Sequence, residues 1–200
     1  MTEETTAKHS WIVELRARLA SPPPRRLPAT DAREAAVLVP LYVEAGALWT
    51  VLTQRSADLP HHQSQIAFPG GGLEDGETPW QAAVRETEEE IGIGAGTVLQ
   101  LGELDEAATP SGFRIVPCVG AIRFPFETRI NEAEIAEVFS VPLLEFANVR
   151  IVEDRAVRVD GRERTLRIYH VGGRQVWGLT ARILQNLLQR FGLDGMQPPQ

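Results

Sequence analysis

Cysteine is nearly absent from this chain. Cys118 stands alone among 200 residues, so no disulfide can close within it, and the composition suits a reducing compartment. Set in "RIVPCVGAI", it suits a small buried apolar side chain. Positive charge is also scarce: 20 Lys and Arg face 27 Asp and Glu, a formal net charge of −7. That balance lacks the basic face which holds nucleic acid or an anionic membrane without specificity. Long apolar runs are missing too, with no stretch near the ~20 residues that cross a bilayer. The opening "MTEETTAKHSW" is polar and acidic, unlike a secretory leader, and there is no repeat or low-complexity tract. The expectation is one cytoplasmic domain, long enough to bury a core.

What is present alternates between two periods. Trp11, Ile12, Leu15 and Leu19 have helical spacing, so a short amphipathic helix is expected before the extended connector "SPPPRRLP". Residues 35–43 and 47–55 look like strands joined by a tight turn at 44–46. "TVLQLGELDEA", "FRIVPCVGAI", "VRIVEDRAVRV" and "RTLRIYHV" add strand candidates, with Asp160 and Gly161 a turn between the last two. "GLTARILQNLLQRFG" has the helical period and stops at Gly192. Strands interleaved with two or three helices predict an α/β domain with helices packed on a sheet. The expected organisation is a helix and Pro-rich connector over 1–34, the domain over 35–192 and a tail over 193–200.

One segment carries chemistry: "AFPGGGLEDGETPWQAAVRETEEEIGIG". Thr78 can cap a helix with Gln81 completing a capping box, Pro79 suits its first turn, and Gly92 stops it. Trp80, Val84, Thr87 and Ile91 form the expected core stripe, while Glu86, Glu89 and Glu90 gather on another face. Ala82 and Ala83, one turn back, are small enough to leave room above that face. Like charges at this spacing cost a few tenths of a kcal/mol per pair. The helix C-terminus adds roughly 0.3–1 kcal/mol for each exposed anion. A divalent cation reverses the sign, because clustered carboxylate oxygens suit Mg²⁺ or Mn²⁺. Gly70, Gly71 and Gly72 let backbone approach a metal or a phosphate closely. The rival expectation is a turn followed by a solvated acidic face.

The spacing resembles the Nudix box, G-x5-E-x7-R-E-U-x-E-E-x-G-U. Gly71, Glu77, Arg85, Glu86, Glu89, Glu90, Gly92 and Ile93 are in register, and Thr87 departs from it where an aliphatic residue is usual. The resemblance implies an α/β/α sandwich with a mixed sheet, and a divalent-metal hydrolase of nucleoside diphosphate derivatives. It makes Glu86 and Glu90 metal ligands, adds the Gly70 carbonyl, and leaves Glu89 as a further ligand or the residue that orients water. Arg85 and Glu77 would hold the glutamates in place or lock the loop as an ion pair.

The preceding segment "LTQRSADLPHHQSQIAFPGG" resembles the L-T-x-R-[SA]-x3-R-x3-G-x3-F-P-G-G pattern of coenzyme A pyrophosphatases in that superfamily, with Pro60 and Ser64 replacing the usual Arg and Gly. This implies hydrolysis of coenzyme A to 4′-phosphopantetheine and adenosine 3′,5′-bisphosphate. Alternative substrates are ADP-ribose, NADH or dinucleoside polyphosphates, and a ligand-sensing module without turnover is the non-enzymatic alternative. Glu89 and Glu134 are the candidate general bases, with Glu137 a rival to Glu134. Arg55 is the candidate for a substrate phosphate. His62, Ser111, Gly112 and Phe113 are further candidate substrate contacts, and Arg25 and Arg26 candidates for a 3′-phosphate. The expected partners are a small nucleotide derivative and, at most, a second copy of the chain; nucleic acid and membrane are not expected.

Overall fold

The apolar runs at 35–43 and 47–55 become β1 (Arg33–Glu44) and β2 (Ala47–Arg55) in the computed structural model, which describes residues 3–29, 31–57, 63–159 and 161–194. Ala45 and Gly46 take positive φ, 48° and 78°, as a two-residue turn between right-twisted strands requires. Then follow β3 (Ile66–Ala67), β4 (Gly70–Gly72), α2 (Pro79–Ile91), β5 (Val98–Glu103), β6 (Ala107–Ala108), β7 (Phe113–Ile122) and β8 (Ile135–Pro142). β9 (Val152–Val159), β10 (Arg162–Val171) and β11 (Arg174–Trp177) precede α3 (Gly178–Phe191), and α1 (Glu3–Ala20) opens the chain. No helix among the described residues is long and apolar enough to cross a membrane.

The main sheet runs β3-β2-β1-β7-β5, with β4 on β1, β6 on β7 and β8 on β2. β1 and β7 are parallel and the remaining pairs antiparallel, so the sheet is mixed. Alternation along β1 assigns the layers. Ala36 and Leu38 pack with Ala82, Ala83, Val116 and Cys118 under α2. Val39 and Leu41 pack on the other face with Leu15 and Leu19 of α1 and Leu184 and Leu187 of α3. Both faces are covered, which is why β1 reads as a continuous apolar run. This is the α/β/α sandwich expected from the sequence.

Several expectations need correction. Ala82 and Ala83 do not leave open room. Both are fully buried where α2 packs on the sheet against Ala36, Leu38, Val116 and Cys118. Of the expected stripe, Val84, Thr87 and Ile91 are buried and Trp80 is only partly so. Thr87, at the aliphatic position, donates its hydroxyl to the Ala83 carbonyl at 2.6 Å, so the buried oxygen is satisfied within the helix. The three glycines form a strand rather than a bend. The run at 149–159 is extended only from Val152, since residues 149–151 form a 3-10 turn whose first N–H groups include Arg150 N donating to Asn148 Oδ1 at 3.0 Å. The strands β8 and β11 were not anticipated, and Asp160 lies outside the described residues.

One edge of β1 is shared. Residues 41–44 pair with β2 and residues 35–37 with β4. Between them the Leu38 N–H donates to the Pro69 carbonyl at 2.8 Å. β2 and β4 therefore diverge, and the glycine strand lies at the opening.

Candidate active site

α2 is held at both ends. Gln81 N donates to Thr78 Oγ1 at 3.3 Å and Thr78 N to Gln81 Oε1 at 2.9 Å, the reciprocal box expected from the sequence. Gly92 closes the helix in the left-handed region at φ 77°, its N–H donating to the Glu88 carbonyl. Glu86 and Glu90 therefore keep a fixed rotation about the helix, facing the glycine strand.

Glu90 is 3% exposed. The Gly70 N–H donates to its Oε2 at 3.2 Å, and Arg55 Nη1 stands 3.6 Å from its Oε1. Burial pushes its carboxyl up to about 8; Arg55 and the Gly70 N–H oppose that shift, while nearby Glu86 and Glu134 add to it. Glu86 is also raised, chiefly by burial, with Arg85 opposing and Glu89 and Glu134 adding. A Cβ on Gly71 would fall 2.4 Å from the Glu86 carboxyl carbon, and one on Gly70 2.3 Å from the Ala36 carbonyl oxygen. Only glycine lets backbone and carboxylate share this space.

Arg85 ties the loop to the helix. Its Nε and Nη2 donate to the two Glu77 oxygens at 2.9 and 3.1 Å, and Nη2 also to the Gly72 carbonyl at 3.0 Å. Its Nη1 donates to Glu86 at 2.9 Å and Glu89 at 3.3 Å. Those Arg85 bonds hold the Glu77 carboxyl below the usual range, helped by the Glu74 N–H. Glu89 is the exposed member, at 58%.

The remaining candidates divide. Glu134 is half-buried and close enough to Glu86 and Glu90 to raise both. Its Oε1 accepts from Asn131 Nδ2 at 3.3 Å, and Asn131 N donates to the Glu90 carbonyl at 2.9 Å. Asn131 was not singled out in the sequence. Its signal was the "NEAE" turn, where its side chain accepts from Ala133 N at 3.3 Å. Glu137 is instead paired with Arg174, through both carboxylate oxygens. Ser111, Gly112 and Phe113 form a turn into β7, with Arg33 4.2 Å above the Phe113 ring. Register sets Phe113 opposite Arg33, two residues before the Ala35 that pairs with Gly72, so this turn borders the far end of the glycine strand. Arg26 is committed elsewhere, paired with Glu103 and Glu106, and the Arg25 N–H donates to Asp105 at 3.0 Å. His62 and Pro60 lie outside the described residues.

No three acidic, His or Cys side chains among the described residues close a ready metal cage; Arg85 holds Glu86 and Glu89 on its own side. The donors nonetheless fit a divalent cation. Glu90, nearly buried, carries charge that one guanidinium at 3.6 Å and one N–H at 3.2 Å answer only in part, and Arg85 reaches only Oε1 of the adjacent Glu86. Mg²⁺ and Mn²⁺ need few protein oxygens, since water and phosphate complete their shells.

Comparison with known proteins matches the NUDIX domain family to residues 32–157. The "Uncharacterized Nudix hydrolase NudL" of Pectobacterium atrosepticum is 38% identical over 169 residues, covering 82% of this chain and 86% of the relative. The protein of the same description from Escherichia coli strain SMS-3-5 is 34% identical over 173 residues, covering 80% and 84%. Among solved structures, a MutT/nudix family protein from Enterococcus faecalis aligns with a TM-score of 0.50 at 16% identity, over 95% of this chain and 74% of that one. That likeness is one of fold.

Proposed function

This chain belongs to the Nudix family and is a Nudix hydrolase, of a kind that generally works with divalent cations, and on that premise we propose that it cleaves the diphosphate of coenzyme A or a close derivative. The products are 4′-phosphopantetheine and adenosine 3′,5′-bisphosphate. The observation that carries this reading is Arg55 beside Glu90: the arginine of the coenzyme A-type segment lies against the carboxylate of the Nudix box. A guanidinium there has the fork geometry and charge to take a substrate phosphate.

Glu86 and Glu90 would hold the cation, with the Gly70 carbonyl a further candidate donor. When bound, Mg²⁺ or Mn²⁺ neutralises diphosphate charge and acidifies water. The chain's own residues do the rest. Arg85, anchored on Glu77 and the Gly72 carbonyl, fixes where Glu86 and Glu89 point. Glu134 is the better-supported base. Asn131 engages its Oε1, which leaves Oε2 to accept a proton from the attacking water. Glu89 shares its charge with Arg85 and is the more exposed of the two. Arg55 takes a phosphate oxygen, and the turn at Ser111, Gly112 and Phe113 contacts one arm of the substrate.

The test is product analysis with Mn²⁺ on coenzyme A beside ADP-ribose, NADH and a dinucleoside polyphosphate. Preference for coenzyme A by at least about tenfold in kcat/KM, a difference of about 1.4 kcal/mol in transition-state binding, is the expected result. Preference for ADP-ribose would retain the diphosphatase and discard the substrate.

A further inference from the structure

The two carboxylates at the glycine strand are answered by two guanidiniums, and the answers differ in kind. Arg85 is saturated, bonded to Glu77, Glu86, Glu89 and the Gly72 carbonyl. Arg55 is not. Its only ion pair among the described residues spans 3.6 Å, longer than a hydrogen bond, and its Nε is buried without a partner among those residues. The backbone aims it. Strand pairing between β2 and β8 slips at Gln54 and Arg55, and such a bulge re-aims a side chain; the Arg55 N–H donating to Gln65 at 3.0 Å holds the bend. Glu90 in turn has no other cation within ion-pair reach among the described residues. A nearly buried carboxylate and a half-satisfied guanidinium therefore depend on each other, and neither is fully served.

We propose that Arg55 is a resident counter-cation for Glu90: it neutralises this carboxylate in the metal-free protein, opposes a divalent cation there, and turns to a substrate phosphate when cation and substrate arrive together. The inference rests on Glu90 as a metal ligand. Without substrate, guanidinium and metal ion are like charges sharing one carboxylate, and each weakens the other. A diphosphate supplies negative charge to both and removes the conflict. Cation and diphosphate then bind in mutual dependence, and by linkage each raises the affinity of the other by the same factor. Arg55 is on this account a positioning residue for the metal and a binding residue for the phosphate.

The test titrates Mn²⁺ alone into the full chain by calorimetry, then repeats it with methylenediphosphonate, a diphosphate analogue whose P–C–P bridge water does not cleave. Arg55→Gln is expected to bind Mn²⁺ at least about tenfold more tightly than wild type without the diphosphate, and to gain less affinity than wild type when it is added. Arg55→Met keeps the aliphatic stem and gives the same readout if the Gln variant does not fold. Arg129→Gln removes the same charge beside Gly92 from a side chain with no ion pair among the described residues, and is expected to leave Mn²⁺ affinity within about twofold of wild type. Unchanged or weaker Mn²⁺ binding in both Arg55 variants overturns the proposal, as does an equal gain in Arg129→Gln. Glu90→Gln separates the premises. If it loses Mn²⁺ while the Arg55 variants gain nothing, the counter-cation role alone fails; if it binds like wild type, the ligand assignment fails with it.

Discussion

The molecule contains two acidic clusters of similar composition and opposite condition. Glu103, Asp105 and Glu106 lie where the Pro-rich connector crosses the end of β5, and they are fully answered. Arg26 pairs with Glu103 and Glu106, Arg190 with Asp105, and the N–H groups of Arg25 and Leu27 donate to Asp105 and Glu106 at 3.0 and 2.8 Å. Glu90 is the most deeply enclosed of the five and its one ion pair, at 3.6 Å, is longer than any in the other cluster; Glu86 is held, among the described residues, by Arg85 alone, and burial raises both carboxyls. Asp105 is held below its usual range even though burial pushes it upward, because the Arg25 N–H and the Arg190 guanidinium outweigh that push. Charge balanced within the chain fastens the chain together. Charge left in deficit is available for something from outside.

That contrast can be broken by exchanging the fates of the two clusters. Glu86→Gln and Glu90→Gln are each expected to lower kcat by about 10²-fold or more, with chelator doing the same to wild type, while the thermal midpoint in metal-free buffer holds or rises. A variant of either that retains full turnover would remove that residue from the site. Gly71→Ala comes next. Its methyl would enter the Glu86 carboxylate, so a loss of about tenfold or more in kcat is expected from displaced geometry alone, checked by steady-state rates beside a circular dichroism melt.

The answered cluster predicts the reverse pattern. Asp105→Asn leaves the enclosed Arg190 guanidinium short of its partner and should cost about 1–3 kcal/mol of stability, measured by denaturant unfolding, with kcat/KM on the preferred substrate unchanged. Thr87→Val restores the aliphatic residue usual in the box. It removes one hydroxyl already bonded within α2, so stability should move by no more than the net worth of one hydrogen bond, about 0.5–1.5 kcal/mol, and turnover not at all. Smallest of all is the response of Cys118, whose thiol burial pushes up to about 12. Little thiolate exists at pH 8, and iodoacetamide should label it only after unfolding, as followed by mass spectrometry.

Much of this site could be read along the chain because its parts are local. The Thr78 box, the Gly92 stop and the Glu86–Glu90 spacing all lie within one helix, where period and capping chemistry dictate position. Arg85 reaching Glu77 is likewise a contact across a short loop. The parts that escaped are non-local or carry no side chain. Gly70 to Gly72 have no alternation to reveal that they pair with β1. β8 is partly covered along most of its length, and its "IAEVFSVP" pattern points to no partner distant in sequence. Arg55 and Glu90 meet only because β2 and β4 diverge along one edge of β1. Ala82 and Ala83 looked like open space because smallness reads the same whether a helix faces solvent or presses on a sheet.

The closed ends of α2 have a consequence for how the gene encoding it can change. A helix pinned at Thr78 and Gly92 cannot absorb an extra residue by sliding, so one insertion between them turns everything downstream by about 100°. Glu90 would leave Gly70 and swing out of the opening, although every side chain of the motif were still present. The segment can therefore exchange letters but not change length, whereas the hairpin of β9 and β10, with residues 154–156 and 158 exposed, has room to lengthen without disturbing it.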